Sequence, residues 1–149
     1  MAIDVGTVRV GVAACDPDAI MAFPVATVTR DADAVANIAA LAADRAAVEI
    51  FVGLPLHLSG DEGPSAVDAR AFAAAIAERT GIPVRLVDER MSTVSASRNM
   101  REAGRSAKNQ RSKIDQAAAV VILDTALDAA RRGNLDTVAM KVAREENHD

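Results

Sequence analysis

Ile3-Asp4-Val5-Gly6-Thr7-Val8-Arg9-Val10-Gly11-Val12-Ala13 reads as one strand, a tight turn at Gly6-Thr7 and a second strand returning beside it. Apolar β-branched residues flank a glycine that is free to take φ > 0. An acid sits inside the first strand. Burying a carboxylate in a small sheet is costly unless donors or a positive charge meet it, so Asp4 requires a hydrogen-bond set, a basic partner or a metal ion. Of these, a metal ion is the expected partner.

Outward from this hairpin, Asp16-Pro17-Asp18 is a turn and Ile20 to Val28 a third strand paired to the second. Pro24 cannot donate a ladder hydrogen bond, which puts that strand at the sheet edge. From Asp31 the apolar residues Val35, Ile38, Leu41 and Ala42 follow a helical period, with Asp31 or Asp33 as N-cap. Val48-Glu49-Ile50-Phe51-Val52-Gly53 is a short strand, and strand–helix–strand order favours parallel pairing with the first strand. Residues 53–64 form the longest loop, at a strand C-terminus, the edge where sites assemble in open α/β sheets. Ser65 is the expected cap of a helix to about Thr80, with Val67, Ala71, Phe72, Ala75 and Ile76 inward and Gly81 as its stop. Pro83 to Val87 is another strand, ending in Asp88-Glu89-Arg90.

Ser92 or Thr93 should cap a helix of roughly ten residues stopped by Gly104, followed by a polar, basic and mobile connection from Arg105 to Lys113. In the final helix Ile114, Ala117, Ala118, Val121, Ile122 and Ala126 are at core spacing, Asp115 lies in the first turn and Gly133 is the stop. In the tail from Asn134, Val138-Ala139-Met140 reads as one more helical turn before a frayed end. The expected architecture is α/β: a mixed five-stranded sheet, the first three strands antiparallel and two more parallel to the first, with helices on both faces. One domain over 1–133 and a tail over 134–149 follow.

A chain of 149 residues buries roughly two thirds of its unfolded surface without staples. The single cysteine, Cys15, excludes an internal disulfide framework and is expected to be a small buried residue. With no charged-then-apolar leader at Met1 and no apolar run near the roughly 20 residues that span a bilayer, a reducing cytoplasm and no membrane are expected. The net charge of −4, from 17 Lys and Arg against 21 Asp and Glu, argues against a general nucleic-acid coat protein. The distribution is uneven. Arg90, Arg98, Arg101, Arg105, Lys108, Arg111 and Lys113 face the single acid Glu102, a basic stripe on an acidic chain. With three Phe and no Trp or Tyr there is little for base stacking, so nucleic acid would be held by its phosphates. A solvated helix face explains the stripe equally well.

Three acids fall where such a sheet would gather them: Asp4 in the central strand, Glu89 at the end of the neighbouring parallel strand and Asp115 at the start of the last helix. Oxygen-rich sites of this kind hold Mg²⁺ or Mn²⁺ and leave positions open for phosphate. Two such ions about 4 Å apart can activate water and stabilise the leaving oxygen of a phosphodiester. Each acid also has a plainer reading: Asp4 as a turn stabiliser, Glu89 as an ion-pair partner of Arg90 or Arg85, and Asp115 as the acid of a Ser112-x-x-Asp115 capping box.

Four blocks in this order, Ile3-Asp4-Val5-Gly6-Thr7 with Arg9 and Gly11-Val12-Ala13, Val52-Gly53-Leu54-Pro55-Leu56, Asp88-Glu89-Arg90 with Ser92-Thr93, and Ile114-Asp115 with Ala117-Ala118, resemble the YqgF (RuvX) family of Holliday-junction-resolvase-like nucleases. The resemblance implies a ribonuclease-H-like three-layer fold, a cytoplasmic location and Mg²⁺ or Mn²⁺ dependence. It also implies nuclease activity in maturing the 5′ end of pre-16S ribosomal RNA. Carried onto this chain it makes Asp4, Glu89 and Asp115 metal-binding catalytic acids. Thr7, Arg9 and the stripe from Arg90 to Lys113 are the candidate contacts to nucleic acid, an rRNA precursor or branched DNA. Met91-Ser92 stands where the family has Leu-Thr, and position 118 is alanine where resolvases often carry a fourth carboxylate. An actin-like ATPase would need a second DxG hairpin and an interdomain cleft, which are not found in this length. A silent RNA-binding or transcription-associated module stays open, as does the choice between monomer and homodimer.

Overall fold

β1 (Ala2–Val5) and β2 (Arg9–Cys15) form the expected hairpin, with Asp4 opposite Gly11. The computed structural model describes residues 1–91 and 108–142, and of Met91 and residues 108–111 the backbone alone. The turn is closed by the Gly6 N–H donating to the Arg9 carbonyl at 2.9 Å. Gly6 does not take a positive φ. A Cβ there would stand 2.5 Å from that carbonyl oxygen, so space, and not the dihedral freedom expected from sequence, fixes the glycine.

The chain continues through β3 (Ala22–Thr29), α1 (Ala34–Asp44), β4 (Ile50–Leu54), α2 (Pro64–Thr80), β5 (Val84–Asp88), a 3₁₀ turn (Glu89–Met91), α3 (Lys108–Arg131), α4 (Leu135–Val138) and β6 (Ala139–Lys141). The sheet order is β3-β2-β1-β4-β5-β6. β1, β4 and β5 are mutually parallel and the outer pairings antiparallel. Pro24 lies in the edge strand β3, beyond a register shift at Val12/Ala13. The mixed sheet therefore has six strands and not five. Val138-Ala139-Met140 is too short for its period to decide between helix and strand. What seats it is Arg85, buried in β5, which donates to Asp136 Oδ1 at 2.7 Å and to the Ala139 carbonyl at 3.3 Å.

Alternation along the strands sorts the core into two layers. Ile3, Val5, Val10, Val12, Val52, Leu54 and Leu86 face Ile38 of α1 and Phe72 and Ile76 of α2. Ala2, Ala13, Phe51 and Val87 face Ala118, Ala119, Ile122, Leu123 and Ala126 of α3. Small residues on both sides let α3 lie close to the sheet.

Several local expectations shift. α2 starts with Gly63 as N-cap and Pro64 at its first position, which places Ser65 inside the first turn. Its buried set is Ala66, Ala69, Phe72, Ala73, Ile76 and Ala77, while Val67, Ala71 and Ala75 are exposed. An alanine-rich helix has too weak a stripe to fix its rotation from sequence. α3 begins at Lys108, so residues 108–113 are helical and not a loose connection. Lys, Gln and Arg are good helix formers, and no Gly or Pro interrupts them. Asp115 accordingly lies well inside the helix, and the capping-box reading with Ser112 falls away. Ala117 is exposed, Ile114 and Val121 are half-buried, and so is Cys15. The helix expected to end at Gly104 lies outside the described residues, as do Arg98, Arg101 and Arg105.

Candidate active site

One row of residues crosses the α3 side of the sheet. Thr27 of β3 pairs with Gly11 of β2, Gly11 pairs with Asp4 of β1, and the register joining Ile3 to Val52 places Gly53 of β4 next. Thr27 anchors α3 above the row. Its hydroxyl donates to the Ser112 carbonyl and accepts from Gln116 Nε2, both at 3.1 Å. Gly11 makes room for that helix, since a Cβ there would overlap the Asp115 backbone carbonyl. Gly53 makes room for Glu89, since its Cβ would stand 2.6 Å from Glu89 Oε1 and 2.6 Å from Ile122 Cδ1. Asp4 thus lies between two glycines, one cleared for the helix that carries Asp115 and the other for the Glu89 carboxylate.

Asp4, Glu89 and Asp115 are 1%, 2% and 2% exposed. Asp4 and Glu89 lie on the α3 side of the sheet, at the C-terminal ends of parallel strands, and Asp115 is carried by α3 itself. Among the described residues, however, no group of three or more His, Cys, Asp or Glu side chains is arranged to hold a metal ion. The plainer partners proposed for Glu89 are engaged elsewhere: Arg85 binds Asp136 and Glu49, and Arg90 binds Asp88. Asp115 receives Arg9 Nε on its Oδ2 at 2.7 Å. Three carboxylates, all oxygen donors and almost fully buried, have the chemistry that a hard divalent cation such as Mg²⁺ or Mn²⁺ takes.

A cavity of about 260 Å³ opens beside Asp115, lined among others by Thr7, Arg9, Ser65 and Asp68. Thr7 and Arg9 were expected here. Ser65 and Asp68 were not, nor was Arg30, which lines the adjoining cavity with Thr7, Ser65 and Asp68. Arg30 holds Asp68 through both terminal nitrogens at 2.8 and 3.0 Å, donates to the Gly6 carbonyl at 3.0 Å and stacks on Phe72, 4.6 Å to the ring centroid. The Arg30 hydrogen bonds hold the Asp68 carboxyl below the usual carboxylate range. Arg90 is fixed to Asp88 and to the Leu58 carbonyl. Lys113 is exposed on α3. Lys108 and Arg111 occupy its first turns.

A mixed β3-β2-β1-β4-β5 sheet between two helical layers, with buried acids at the ends of its parallel strands, is a ribonuclease-H-like arrangement. Two solved structures share the fold. Thermus thermophilus RuvC in complex with a Holliday junction substrate aligns at a TM-score of 0.55 with 16% identity, over 89% of this chain and 94% of that one. Thermus thermophilus RuvC in another structure gives 0.52 with 18% identity, over 89% and 95%. The family model described as RuvX, Holliday junction resolvase, matches residues 1–129, and the chain belongs to that family. Relatives named "Putative pre-16S rRNA nuclease" include one from Kineococcus radiotolerans, 51% identical over 138 residues, covering 90% of this chain and 73% of the relative. Another, from Mycobacterium ulcerans, is 53% identical over 134 residues, covering 88% and 79%. Among the described residues no helix is long and apolar enough to cross a membrane.

Proposed function

We propose that this chain is a metal-dependent endonuclease of the cytoplasm that processes the 5′ end of pre-16S rRNA, with Asp4, Glu89 and Asp115 as its catalytic, metal-holding acids. The observation that carries the reading is the burial of three carboxylates between the sheet and α3, two of them at the C-terminal ends of parallel strands. Family membership and the names of the relatives support it. Bound Mg²⁺ or Mn²⁺ would supply a water of lowered pKa and charge neutralisation at the leaving oxygen. The chain's own part is to fix the acids. Asp4 is held by the central strand, Glu89 by the turn after β5, and Asp115 by a helix that Thr27 ties to the sheet. Thr7, Arg9 and the basic stripe would hold the phosphodiester backbone beside them.

The test is cleavage of a small-subunit rRNA precursor, with a four-way DNA junction in parallel, in Mn²⁺, in Mg²⁺ and with chelator. Asp4→Asn keeps the shape of the side chain but withdraws a ligand charge. We expect it to lower cleavage by more than about 100-fold while the circular dichroism spectrum is retained. Undiminished cleavage by the folded variant would remove Asp4 from the site. Cleavage of the junction alone would transfer the activity to branched DNA. Binding without any Asp4-dependent cleavage would leave a nucleic-acid-binding module.

A further inference from the structure

Arg9 differs from the other ion-paired arginines around the site. Arg30, Arg70 and Arg90 each hold a carboxylate with two nitrogens. Arg9 uses Nε alone, at 2.7 Å from Asp115 Oδ2, and its two terminal nitrogens make no hydrogen bond among the described residues. The pair is also asymmetric. The Asp115 side chain is 3% exposed and fixed on a helix that Gly11 brings against the sheet, whereas the Arg9 side chain is 25% exposed. Both line the cavity that holds Thr7 and Ser65. A guanidinium and a divalent cation placed on the same carboxylate oxygen repel each other and compete for one set of lone pairs.

We propose that Arg9 is the resident counter-charge of Asp115, and that a divalent cation displaces it toward the cavity, where its terminal nitrogens take up a phosphate. Cation loading and phosphate capture are thereby ordered: the fork of Arg9 faces a phosphate squarely only after Asp115 has passed to the cation. The inference rests on the metal-site reading above and gives Arg9 a positioning role distinct from a static backbone contact.

The experiment uses the full chain and needs no cleavage. Mg²⁺ affinity is measured by calorimetry for the native chain, Arg9→Gln, Arg9→Lys and Asp4→Asn, and the Arg9 Nε–Hε resonance is followed in the ¹⁵N-labelled native protein. Removing the competing charge should tighten Mg²⁺ binding in Arg9→Gln by about three- to tenfold, the scale of one partly exposed ion pair. Arg9→Lys should return it toward the native value. The Arg9 resonance should shift with the calorimetric midpoint, and inorganic phosphate should then perturb it only in the Mg²⁺-loaded protein. Equal Mg²⁺ affinity in Arg9→Gln, or a phosphate response that does not need Mg²⁺, overturns the competition while leaving the metal site standing. Mg²⁺ binding that is undetectable in the native chain, or unchanged in Asp4→Asn, overturns the metal site and this inference together.

Discussion

Gly11 and Gly53 show how the smallest residues set the positions of the largest charges. A Cβ at Gly11 meets backbone, the Asp115 carbonyl, which moves only if α3 moves. Gly11→Ala should therefore lower stability by about 1–3 kcal/mol, measured by urea unfolding followed by circular dichroism. A Cβ at Gly53 meets two side-chain ends, Glu89 Oε1 and Ile122 Cδ1, and these can yield. Gly53→Ala should cost the fold less than about 1.5 kcal/mol but displace the carboxylate, weakening Mn²⁺ binding about tenfold. The burial of Asp4 and Glu89 is legible in the sequence, because Asp4 interrupts an apolar strand and Glu89 follows one directly. The glycines flanking Asp4 across the sheet are not. Their part depends on the register of three strands, which no local pattern of one strand encodes.

At the level of elements, Arg30 joins the end of β3 to the hairpin turn through the Gly6 carbonyl and to α2 through Asp68. The Asp68 carboxyl is held below its usual range by those hydrogen bonds. A depressed folded pKa means stabilisation that is complete above the ordinary carboxylate range, about 4, and lost as pH falls through it and on through the depressed value. Asp68→Asn should flatten the acid limb of the melting-temperature curve and cost about 0.5–1 kcal/mol near pH 7, a modest figure because both side chains reach solvent. Neither residue stands out in the sequence, since a pair separated by 38 positions leaves no local trace. The same holds for the N-terminal end of α3. The apolar stripe begins only at Ile114, so the polar turns from Lys108 to Lys113 show no helical period although the chain is helical there.

Across the whole molecule, the candidate acids Asp4 and Glu89 are buried on the α3 side of the sheet, and α3 carries Asp115 together with Lys108, Arg111 and Lys113 of the basic stripe. The double variant Arg105→Glu, Lys108→Glu should weaken RNA binding alike across sequences and lower the salt slope by roughly 0.7 to 0.9 per lost phosphate contact, with Mg²⁺ affinity unchanged. Salt-series titrations check both. The order of the elements was legible because each is bounded by a breaker and carries its own period. The sixth strand was not, because three residues become a strand only through a buried arginine far away in the chain. That strand has one more effect. The RuvX match stops at residue 129, yet β6 is what covers the open backbone of β5. A chain trimmed to the family boundary would keep all three acids. It would also present a bare run of amides and carbonyls from Val84 to Asp88, beside an Arg85 robbed of Asp136. Such an edge is a template for a second molecule, and the three residues of β6 offer a shorter one.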